Sequence, residues 1–134
     1  MAAIVEEPRE KFPEVGDVAN PAIFFDGEDV FLCYQISPRG GGGNAVVKFG
    51  DVFEFQVKPM NVEGLGQCRY PVRPWSFNEI INAEEILRWR VLKPRFWMIS
   101  FNDVMVEVLF ESAALLLHDL QPVHPKTTLT KIFQ

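Results

Sequence analysis

The chain has 134 residues, 48% of them apolar, with 17 aromatic side chains and a formal charge of −5. That length supplies one core of ordinary domain size and excludes both a two-domain enzyme with an interdomain cleft and a wholly disordered chain. The longest apolar runs, such as Ala113 to Leu117, fall far short of the roughly 20 residues a membrane helix requires, and the N-terminal Glu6, Glu7 and Glu10 do not resemble an export signal. A soluble, cytoplasmic protein with no membrane partner is the expectation.

Residues 1–20 mix charges with Pro8 and Pro13 and hold few large apolar groups, so they read as a loosely ordered arm before a single β-rich domain over 21–120. Ala22 to Phe25 and Val30 to Ile36 flank Asp26-Gly27-Glu28-Asp29, the pattern of a β-hairpin. In its second strand Val30, Leu32, Tyr34 and Ile36 share one face, while Phe31 and Cys33 make the other apolar too, which predicts a central strand. Gly40 to Gly43 break the pattern as a flexible loop. A phosphate-binding loop would continue with Lys and Ser or Thr, whereas Asn44-Ala45 follows. Ala45 to Phe49 and Val52 to Val57 are the next strands, joined or kinked at Gly50-Asp51.

Residues 61–74 read as loop. Ser76 and Glu79 then offer a capping box that favours a short helix over 77–87, with a strand turning at Asn82-Ala83 as the alternative. Leu87 to Leu92 alternate as a half-exposed strand. Arg95 to Phe101 and Val104 to Phe110 form a hairpin around Asn102-Asp103, two residues that tolerate the left-handed conformations of a tight turn. Ser112 to His118 fit either a helix or a strand, and residues 121–134, with Pro122 and Pro125, read as an irregular tail. These elements predict a mainly β fold: an antiparallel β-sandwich or partly open β-barrel built from hairpins, with one or two short helices.

The chemistry-bearing residues are sparse. Cys33 and Cys68 match no metal spacing and read as free thiols, while His118 and His124 have no H-x-x-x-H or H-E-x-x-H context, so no metal, cofactor or catalytic residue is assigned. Asp26, Glu28 and Asp29 lack the rest of a calcium loop. Residues 55–95 hold seven bases against four acids, a local excess too small within an acidic chain to favour nucleic acid.

The segment of most interest is Arg69-Tyr70-Pro71-Val72-Arg73-Pro74-Trp75, whose Arg69 and Arg73, with Tyr70 and Trp75, form a candidate clamp for an anionic or planar ligand. The alternative is that Tyr70 and Trp75 close one end of the core and the arginines pair with Glu54, Glu63 or Glu107. Three functions follow in order of weight. The first is a non-enzymatic β module for self-association as a homodimer, or for binding a protein partner, through strands such as Val30–Ile36 or Val104–Phe110. The second is a small-ligand or anion binder using the Arg69–Trp75 loop. The third is a carboxylate-based enzyme using Asp51 or Asp103, for which the sequence offers no paired base.

Overall fold

The computed structural model describes residues 2–89 and 91–134. Among these residues nine strands make two antiparallel sheets: β1 (Ile4–Glu6), β2 (Ala22–Phe25), β3 (Val30–Gln35), β4 (Asn44–Gly50), β5 (Glu54–Pro59), β6 (Phe77–Ile81), β7 (Arg95–Ser100), β8 (Val104–Phe110) and β9 (Ser112–Asp119). One sheet has the order β1-β6-β7-β8-β5 and the other β2-β3-β4-β9. The mainly β, sandwich-like fold read from the hairpins is what forms, and no barrel closes among the described residues. Two short helices, α1 (Glu84–Leu87) and α2 (Pro125–Ile132), complete it; neither is long and apolar enough to cross a membrane.

Period-two alternation builds the core. Val30, Leu32, Tyr34 and Ile36, with Ala45, Val47 and Phe49 of β4, meet Trp97 and Ile99 of β7 and Val106, Val108 and Phe110 of β8 between the sheets. Trp97 lies edge-on to Phe49 at 5.5 Å, Phe110 at 5.0 Å and Phe77 at 5.6 Å, geometries that contribute roughly 0.5–1.5 kcal/mol per pair beyond burial. The outer faces are covered as well. On one, Leu129 and Ile132 of α2 pack over Cys33 and Val46; on the other, Tyr70, Val72, Ala83 and Ile86 cover Ile80, Phe96, Met98, Met105 and Leu109. β3 lies between β2 and β4 and β8 between β7 and β5, so both are interior strands, and their second apolar faces are packed within the chain.

Several local expectations are corrected. Within 1–20, expected as a loose arm, Ile4–Glu6 pair with Glu79–Ile81, Phe12 packs beside Phe77 and Trp97, and Val15 is buried. The anchor is Arg95, whose guanidinium takes both oxygens of Glu10 at 2.6 and 2.8 Å and both of Glu79 at 3.0 and 2.6 Å. The helix from Ser76 does not form: the Ser76 hydroxyl donates to Pro74 O instead, and 77–81 alternate as strand, with Asn78 and Ile80 buried. Residues 87–89, 91 and 92 form no strand either. Leu92 and Lys93 N–H groups turn back to Trp89 O, Lys93 adopts φ +50°, and Leu87, Val91 and Leu92 stay exposed; Arg90 lies outside the described residues.

Neither Asn102 nor Asp103 adopts positive φ. Their turn is held from outside, where Asn20 accepts from Asp103 N–H at 3.0 Å and donates to the Asp103 carboxylate at 3.3 Å. Residues 112–119 settle as strand, and the tail expected to be irregular carries α2, where Pro125 opens the helix and the His124 ring nitrogen accepts from Lys126 N–H.

Candidate functional site

Along the outer face of the five-stranded sheet the side chains of β8 run Met105, Glu107, Leu109, placing one carboxylate in an otherwise apolar row, opposite Gln56 on β5 and Met98 on β7. A buried charge is tolerated only when paired. Glu107 meets Lys58 Nζ at 2.5 Å and Arg69 at 3.4 Å. Arg69 also pairs with Glu85 of α1, and Glu85 accepts from the Tyr70 hydroxyl at 2.9 Å. Glu85 and Glu107 are both more than nine-tenths buried. Burial works against the Arg69 charge, but hydrogen bonding and charge attraction to Glu85 outweigh it and hold the guanidinium above its usual pKa. Burial, then the bond to Glu85, pushes the Tyr70 phenol up. Beside this cluster opens a cleft of about 510 Å³, floored by Phe96 and Leu109 and edged by Glu54 and Arg88, 3.5 Å apart.

Arg73 and Trp75 lie elsewhere. They border a separate groove of about 270 Å³ beneath residues 7–15. Arg73 is exposed, its N–H donates to Asn78 Oδ1, and its guanidinium reaches Phe77 O at 3.4 Å. Trp75, at φ +47°, packs against the sandwich core. The loop thus parts its four candidate residues: Arg69 lines the cleft, Tyr70 is buried against Glu85, and Arg73 and Trp75 line the separate groove. Of the acids weighed as partners for the arginines, Glu107 meets Arg69, joined by Glu85, which the sequence reading missed. Its signal was an acid at the second position of a four-residue helix, fifteen positions from the tyrosine it bonds, invisible without the tertiary contact. Of the carboxylates weighed for catalysis, Asp103 is engaged by Asn20, and Asp51, at φ +52°, donates its N–H to Asp29 in the turn before β5.

A third feature is an edge. Each sheet ends on two strands, and three of these four edges are short or polar: β1 has three residues, β2 has four, and β5 carries Glu54, Lys58 and Pro59. Such devices block the addition of a foreign strand. β9 has eight residues, Ser-Ala-Ala-Leu-Leu-Leu-His-Asp, paired on one side only, to β4. Leu115, Leu116 and Leu117 are 36–50% exposed, and a bulge opposite Val46 and Val47 displaces Leu116 from the regular pairing. Comparison with family models, with curated proteins and with solved structures finds no match to this chain.

Proposed function

We propose that the chain is a non-enzymatic β module that binds another polypeptide by strand addition along β9. The observation that carries this reading is the contrast among the four sheet edges: the longest is the one with exposed leucines and without Lys, Arg or Pro. An added strand satisfies its unpaired backbone groups and covers the leucines in one step. A cytoplasmic location belongs to the same proposal, supported by two free thiols. The test is fluorescence anisotropy with a labelled, end-capped and uncharged strand peptide of alternating Thr and Val. Wild type should bind it saturably, and Leu116→Lys should weaken binding by about tenfold or more. Equal binding, or none to either, removes the reading.

A small polar ligand in the Arg69 cleft is the second reading, favoured by the buried Glu107 in an apolar row beside open volume. A thermal-shift panel of phosphates, carboxylates and nucleotides tests it. Stabilisation lost in Arg69→Ala and kept in Arg73→Ala places the ligand in the cleft; the reverse places it in the groove under residues 7–15.

A further inference from the structure

We propose that the strand added to β9 is β9 of a second copy, the two running antiparallel about a two-fold axis within Leu115–Leu117. This rests on strand addition at β9 and names its occupant. The chemistry of the edge selects the partner. Between Ser112 and Leu117 β9 has no charged side chain, so nothing on it would pair with a basic or acidic peptide, and the matching strand must be apolar and uncharged. β9 itself fits that description. Two-fold antiparallel pairing sets leucines against leucines, and it places the one acid of each strand, Asp119, at opposite ends of the ladder, roughly 20 Å apart at about 3.4 Å per residue. That exceeds the Debye length of about 8–10 Å at ordinary salt, so the like charges do not oppose pairing. An isologous contact also needs no second complementary surface, because one edge supplies both halves.

Sedimentation velocity across a micromolar dilution series, on wild type, Leu116→Lys and Leu116→Glu, is the experiment, with circular dichroism confirming that each variant folds. Wild type should sediment at twice the 15.3 kDa chain mass and dissociate on dilution, both variants should remain monomeric, and the Thr-Val peptide should dissociate the wild-type dimer. Should the variants fail to fold, hydrogen exchange on wild type decides: amides of β9 slower at high than at low concentration support the pairing. A wild-type monomer throughout the series overturns it, and if that monomer still binds the peptide, strand addition stands while the second copy falls. A dimer indifferent to the Leu116 variants and to the peptide also overturns it.

Discussion

Single residues decide where this fold is brittle. Gly43 adopts φ +75°, and a Cβ there would sit 2.1 Å from the carbonyl oxygen of Asp119, a backbone atom that has nowhere to retreat. Gly43→Ala should therefore destabilise by on the order of 3 kcal/mol in urea unfolding, against near neutrality for Gly27→Ala if space alone mattered; Gly27, at φ +104° with nothing nearby, should lose about 1 kcal/mol from strain only. Glu10 illustrates a charge with a pH signature. Hydrogen bonding to Arg95 holds its carboxyl below the usual value of 4.5, so its contribution is present above that value and is lost as pH falls through the lowered one. Glu10→Gln should cost about 1–2 kcal/mol near neutral pH and flatten the stability curve between about pH 5 and about pH 3, read by urea titration at each pH. Arg69→Ala leaves the buried Glu85 and Glu107 with one cation fewer and should cost about 1–3 kcal/mol in urea unfolding at neutral pH, moderated because Arg69 is half exposed.

At the scale of elements, α2 acts as a cover over Cys33. Burial beneath it pushes that thiol up to about 12, which leaves almost no thiolate at neutral pH, whereas Cys68 is partly exposed. Iodoacetamide should label Cys68 first, and Leu129→Ala, which hollows the contact between α2 and β3, should speed labelling of Cys33 more than that of Cys68; mass spectrometry of timed quenches checks it. Such covers explain what was legible in the sequence. Strands whose apolar residues alternate, Val30–Ile36 and Val104–Phe110, announced themselves because their period is a local property. Residues 4–6 and 77–81 did not: β1 contributes three residues whose pairing partner lies 75 positions away, and the Ser76-Glu79 pair mimics a helix start that Asn78 overrides by bonding Arg73 O, Ser76 O and Met98 O at once. For the same reason Arg69 and Tyr70 could be singled out, but their division from Arg73 and Trp75 could not. The positive φ of Trp75 and the polar knot around Asn78 turn the chain between them, and neither has a sequence pattern.

For the whole molecule, the pairings β1 with β6 and β4 with β9 join residues 62 to 77 positions apart, so most of the loop-closure entropy falls before the sandwich gains its core. Folding should be slow for the size, in the millisecond-to-second range typical of sandwiches, and stopped-flow fluorescence of Trp97, which lies at the centre of the core, should report it. Microsecond folding would contradict that expectation.

The brevity of β2 bears on stoichiometry. A pair joined along β9 would form one continuous eight-stranded sheet whose two ends are both β2, four residues long, with Phe24 seated against Phe133 and Phe25 against Phe55. Growth would stop there, because neither terminus offers a row long enough to template a third chain. Light scattering should accordingly plateau at two copies as concentration rises, and the molecule would carry its own protection against fibrils in the strand farthest from the one that associates.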